Sequence, residues 1–350
     1  MNKLQLKPVM LGIAAIVIGA VIVLIQNILI PESGGTFLLT LTFWVALIQG
    51  AVAVVAAADA SAAKWITPLK RELLSFYPLI LFIAILFLFL GLQMDVYPWI
   101  DKQNKWLNVP FFLVRNFLAM LVLYIVAHFY AKATLANSEG KGRWAIAYLF
   151  IYVTVQSLVA FDWVMSLAYP WVSTLFGGIF FMEAFYTGLV IAALIAAYYL
   201  RKEVEDPVSM SKVLRDTAVF TFGFALAWAG LFYAQFLVIW YGNIPEETSY
   251  LVIRMHHSPY MEIFYVSVFF LFILPFVGLI GRKAKISPNW VTLVAFIVLA
   301  GIVLERILFI LPDASINPIA AVAEFILMGF LFLLFFASRD QFIKALEMSK

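Results

Sequence analysis

Long apolar runs separated by short polar segments recur along the whole chain. Ten of them reach the roughly twenty residues that a helix needs to cross the core of a bilayer. They lie at about 8–30, 37–58, 73–92, 109–131, 143–167, 172–200, 214–241, 260–281, 288–311 and 319–337. In lipid every backbone N–H and C=O must be paired within its own segment, so runs of this length predict helices. The expected fold is an all-α integral membrane protein with about ten transmembrane helices, forming a single polytopic membrane domain over residues 1–350. The intervening loops are too short to hold a soluble domain. The first run follows Lys3 and Lys7, as a secretory leader would. It is too long for a leader's apolar core and no small-residue cleavage site follows, so it reads as a retained span.

Composition agrees with this pattern. Of 350 residues, 65% are hydrophobic and 12% charged, whereas soluble proteins carry about a quarter charged residues. The distribution of cations then sets the orientation. With the N-terminus cytoplasmic, the inside segments are 1–7, 59–72, 132–143, 201–213, 282–287 and 338–350, and they hold seventeen Lys and Arg. The outside segments hold three: Lys102, Lys105 and Arg254. So strong a bias places both termini in the cytoplasm, as in a multi-pass protein of a bacterial inner membrane. It also puts the Tyr169-Pro170-Trp171 turn outside. The net charge of +3 carries no signal for nucleic acid.

Ionisable groups inside membrane spans are costly, so each is a candidate for function. They are Arg115 and His128 on the fourth span, Asp162 on the fifth, Glu183 on the sixth, Glu305 and Arg306 on the ninth, and Glu324 on the tenth. Glu262 lies at the outer end of the eighth span, where water reaches it. Gln49, Asn116, Gln156 and Gln235 add neutral hydrogen-bonding groups. Counting from the span ends puts Arg115, Asp162, Glu305, Arg306 and Glu324 in the outer part of the membrane, Glu183 nearer the middle and His128 near the cytoplasm.

Asp162, Glu183, Glu305, Arg306 and Glu324 therefore form a candidate proton relay, or else a set of buried ion pairs. For the pairs, the expectation is Arg306 with Asp162 or Glu324, and Glu305 with Arg115. Glu183 has no charged neighbour within a turn and is expected to be protonated or hydrogen-bonded. Asp162 has a simpler alternative, a hydrogen bond to Ser166. His128 can equally be an interfacial anchor, and His256 and His257 are expected at the surface. The tight turn at Pro170 should set Asp162 and Glu183 on neighbouring antiparallel helices, as stepping stones for a proton. Trp44, Trp228 and Trp240 could line a flat-ring pocket, although aromatics on membrane helices more often serve as anchors.

The absence of cysteine excludes disulfides and cysteine-ligated iron–sulfur clusters from this chain. Three histidines, two of them adjacent in a loop, do not provide the usual ligand pair of a membrane haem, and no metal site is expected. Any redox metal would belong to a partner. Phosphate loops, zinc spacings and nucleophile motifs do not occur.

Three stretches carry a resemblance. "AFDWVMSLAYPWVSTLFGG" (160–178), "FALAWAGLFYAQFLVIWYGNIPEET" (224–248) and "LNVPFFLVRN" (107–116) resemble segments of the polytopic membrane subunits of alternative complex III. That complex is a bacterial quinol:electron-acceptor oxidoreductase, and its membrane subunits are more distantly similar to NrfD and polysulfide-reductase anchors. The wording around Asp162 and around Asn243 is closer to the second of the two paralogous subunits. The resemblance implies two four-helix bundles plus peripheral helices. It also implies association with membrane lipid, a periplasmic iron–sulfur subunit, haem c subunits and the paralogous polytopic subunit. A proton path, a quinone pocket or a scaffolding role are all open, with Arg115 and His128 as candidate quinone or proton contacts. The outer segment 242–259, with Pro245-Glu246-Glu247, is long enough to dock a partner.

Two other classes compete: a secondary transporter and a purely structural anchor. Transporters favour helices broken near mid-membrane and repeated halves. Here the prolines lie mainly at span ends, Pro275 being the exception, and no repeat is legible.

Overall fold

The computed structural model describes residues 6–29, 34–202 and 206–348. Lys3 and Lys350, both counted among the inside cations, lie outside the described residues. The chain is an all-α polytopic membrane protein, and the described residues contain no strand. Among the described residues ten helices are long and apolar enough to cross a membrane: Pro8–Asn27, Gly34–Ala60, Thr67–Leu92, Val109–Leu135, Lys141–Ala168, Phe176–Arg201, Pro207–Gly242, Tyr260–Gly278, Pro288–Ile310 and Pro318–Gln341. They are called the first to tenth spans below, and "outer" denotes the face poor in Lys and Arg.

Local sequence fixes the span ends. Proline opens the first, seventh, ninth and tenth spans, where its missing N–H would have had no partner. The backbone N–H of Ser209 donates to Asp206 Oδ1 at 3.0 Å and that of Phe111 to Asn108 Oδ1 at 3.1 Å, so each side chain caps the span that follows. Asp206 is fully exposed, and the bonds from Ser209 hold its carboxyl below the usual range. Within the eighth span, Pro275 removes the N–H that would bond Leu271 O. A wide π turn at Phe269–Ile273 accommodates the ring, and the Tyr186 hydroxyl donates to Leu271 O at 3.3 Å.

Spans two to five pack around one another as one four-helix bundle, and spans six to nine as a second. The first and tenth spans pair with each other along the flank of spans two and three. The second span is buried along its whole length, as befits a helix that is apolar all round. It packs against the fifth, sixth, ninth and tenth spans and so forms the seam between the bundles. Gly50 and Gly188 make the seam tight: a Cβ on either would collide with the backbone of the other helix. Loop 242–259 folds into a helix, Pro245–His256, that lies on the outer face with Tyr250 and Arg254 buried beneath it.

Candidate functional site

The core of the second bundle holds four polar side chains in one cluster. Arg306 Nη2 lies 2.6 Å from Glu183 Oε2, both side chains fully buried. The Trp228 indole N–H points between the two acids, 3.2 Å from Glu183 Oε1 and 3.0 Å from Glu305 Oε1. The two carboxyls thus share the Trp228 indole as a common donor. The arginine is covered by Phe180, whose ring centroid is 3.7 Å from its Cζ. Arg306 Nε and Nη1 find no protein acceptor among the described residues. Two acids against one guanidinium balance electrically when one acid is neutral, and burial makes any other state expensive. Chemically, the cluster can hold one mobile proton.

A second cluster occupies the first bundle. Asp162 sits in a π turn, Val159–Val164, which turns both Asp162 and Trp163 inward. Its Oδ2 accepts from Arg115 Nε at 2.7 Å and from Asn116 Nδ2 at 2.7 Å, and its Oδ1 from Trp106 Nε1 at 3.3 Å. Trp163 donates to Asn116 Oδ1 at 3.0 Å, and the Arg115 guanidinium lies over the Trp106 ring at 4.2 Å. Tyr97, in the outer segment, donates to Trp163 O at 3.0 Å. Burial and then the charge of Asp162 push its hydroxyl well above the usual tyrosine range. The Ser166 hydroxyl bonds the backbone carbonyl of Asp162 and not its carboxylate.

These contacts correct the expected pairings. Arg306 pairs with Glu183 instead of Asp162 or Glu324, and Arg115 pairs with Asp162 instead of Glu305. Glu183, which has no charged neighbour within a turn of its own helix, meets Arg306 of the ninth span. Asp162 and Glu183 share no hydrogen-bond partner among the described residues, so they belong to separate clusters. Glu324 accepts from Thr40 at 2.6 Å and from Gln26, whose backbone carbonyl accepts from Gln93 Nε2 at 3.0 Å. Gln156 donates to Gln49 at 2.9 Å, and Gln235 accepts from Ser173 at 2.5 Å. His128 Nδ1 bonds the Tyr77 hydroxyl at 2.8 Å, away from both clusters. Glu262 bonds Ser258 at the exposed surface.

Several pairs near the span ends are not legible in the sequence, because there a charge reads as solvated. Asp59 is buried against Lys70 at 2.5 Å, Tyr130 at 2.8 Å and Thr134 at 3.0 Å. Arg254, counted only as an outside charge, is 3% exposed and bonds Asp313 Oδ2 at 2.6 Å. A signal existed for the last. Tyr250 and Arg254 stand four apart behind Pro245, the spacing of one face of a helix.

Around Glu305 lies a chamber of about 50 Å³, whose lining includes Trp228, Gln235, Ser267, Trp171 and Tyr250. Outward of it is a vestibule of about 550 Å³, bounded by Asp95, Ser249, Tyr250, Arg254, Asp313 and Trp171. The Tyr250 hydroxyl is pushed up to about 12, first by burial and also by the charges of Asp313 and Glu305, while Arg254 pulls it down. A larger groove of about 720 Å³ lies between the first and third spans, and among the described residues its lining is apolar apart from Asn27.

Fold and site together define a polytopic helical membrane protein with acids and arginines paired in the interior of both bundles. No family model matches the chain, and no curated protein matches it.

Proposed function

We propose that the chain is an integral membrane subunit of a quinol:electron-acceptor oxidoreductase of the alternative complex III type, and that it carries protons between the core of its second bundle and the outer face. The carrying observation is the Glu183–Glu305 carboxyl pair bridged by the Trp228 indole and balanced by a single arginine, Arg306. Such a pair stays neutral against the guanidinium when a proton arriving from one side replaces one leaving to the other, so a proton can pass through without leaving a net buried charge. The resemblance of 107–116, 160–178 and 224–248 to that family supplies the context. Quinol oxidation releases two protons with two electrons, and a buried acid pair opening outward suits their delivery to the side where an external acceptor works.

On this reading a periplasmic iron–sulfur subunit, haem c subunits and a paralogous polytopic subunit are the partners, in a bacterial inner membrane. The Pro245–His256 helix, with Glu246 exposed, is the surface on which the first of them would rest. The chamber beside Glu305, at about 50 Å³, suits water rather than a quinone ring, so the proton role is favoured over a quinone pocket in this bundle.

Two measurements test the reading. The tagged chain, isolated from the membrane that makes it, should bring iron–sulfur and haem c subunits with it. Glu183→Gln in that complex should lower proton release per quinol oxidised and leave cytochrome reduction able to proceed. Unchanged proton yield would sink the path, and purification as a lone chain would sink the assignment.

A further inference from the structure

The chamber and the vestibule meet at a pair of rings, Trp171 and Tyr250, each of which lines both spaces. Their centroids are 3.6 Å apart and their planes 6° from parallel. The Arg254 Cζ lies 3.5 Å from the same tyrosine centroid. One ring face cannot hold two partners at these distances, so indole, phenol and guanidinium form a three-layer sandwich with Tyr250 in the middle. The two outer layers are held very differently. Arg254 is fixed by Asp313 Oδ2 at 2.6 Å, Phe309 O at 3.1 Å and Tyr250 O at 3.1 Å. Trp171 Nε1 has no acceptor among the described residues, and the residue sits in the irregular turn between the fifth and sixth spans. Turning the indole away breaks no side-chain hydrogen bond and unwinds no helix.

We propose that the Trp171–Tyr250 stack is a gate between the buried acid chamber and the outer face. Trp171 is the moving leaf, and Tyr250 is the fixed one, latched in place by the Arg254–Asp313 pair. Closed, the stack keeps Glu305 and its chamber apart from the vestibule. Parting the rings joins the two spaces into one water-accessible route. The role of the gate in proton traffic rests on the function proposed above, whereas the gate itself is a matter of access and is tested as such.

The chain has no cysteine, so a single introduced thiol reports access without background. Ser267, which lines the chamber, is replaced by Ser267→Cys in the full chain in membrane vesicles. The thiol is then challenged from the outer face with a small cationic, membrane-impermeant methanethiosulfonate. Modification should be slow with the gate intact. Adding Trp171→Ala should speed it by roughly tenfold, the factor set by losing one aromatic stacking contact. Asp313→Asn, which leaves both rings in place and loosens Arg254, should speed it to a lesser degree. Thr217→Cys, buried on the seventh span away from the chamber, should react no faster in either background. No acceleration at Ser267→Cys in either variant overturns the gate, as does an equal acceleration at Thr217→Cys. If instead Glu183→Gln leaves proton yield untouched while the labelling behaves as expected, the proton path fails and the gate stands.

Discussion

Gly50 and Gly188 bring the second and sixth spans into backbone contact, each occupying the space where the other helix would meet a Cβ. Neither has a positive φ, so the absent side chain is what the position requires. Membrane helices have no water to expel from between them and rely on such close approach for packing energy. The contact ties together the first helix of each bundle.

Gly50→Ala should therefore destabilise the protein by about 1–3 kcal/mol or more, the usual range for overpacking. Gly223→Ala is the matched comparison, because open space surrounds that position and alanine there gains up to about 1 kcal/mol in helix propensity. Thermal unfolding in detergent should rank Gly223→Ala at or above the parent and Gly50→Ala well below it. Equal melting of the two variants would contradict the contact.

Substitutions in the second-bundle cluster should divide by charge. Arg306→Leu leaves Glu183 and Glu305 facing each other without a cation, and loss of one partner from a buried pair costs about 3–5 kcal/mol. Glu305→Gln removes the surplus acid and retains an acceptor for Trp228, so its cost should be near that of one hydrogen bond, about 1 kcal/mol. Yield of folded protein and melting temperature both read this order, and the reverse order would rule out the charge balance argued here.

Alkaline pH should act through Tyr250. Its hydroxyl is pushed up to about 12 from an ordinary value of 10, so the folded state holds this proton more tightly than the unfolded state does. The stability linked to it is complete below pH 10 and is lost as pH rises through 12. Tyr250→Phe has no proton to lose there. Its melting temperature should fall less steeply than the parent's across that window, and parallel curves would exclude a buried, proton-retaining Tyr250.

The sidedness can be checked one thiol at a time. Lys283→Cys and Lys102→Cys are both at exposed positions and should be modified from opposite sides of sealed vesicles by an impermeant maleimide. Labelling of both from the same side would require a different number of spans.

The spans were legible in the sequence because lipid imposes one rule on every segment that crosses it, and the cations marked their ends. Burial of Asp162, Glu183, Glu305, Arg306 and Glu324 followed from the same logic. Partner choice did not. Glu305 and Arg306 are about 100° apart on their helix and reach different neighbours, Trp228 on the seventh span and Glu183 on the sixth. No count along the chain reveals which helices those neighbours are. Asp162 and Arg115 escaped pairing for a related reason: the π turn at Val159–Val164 changes which way the fifth span's side chains face. Trp171 was noticed only as part of a turn, because its importance depends on Tyr250, which lies in a loop helix seventy-nine positions later.

The second span, enclosed along its whole length, makes the protein indivisible. Cutting the chain between the fifth and sixth spans would produce two five-span pieces of respectable size. The piece that kept Gly34–Ala60 would then present to lipid a helix face notched at Gly50 for another backbone. Lipid tails fill such a notch poorly. Halves made separately should therefore seek each other out in the membrane rather than persist alone, and the two bundles are better regarded as lobes grown around a common spine.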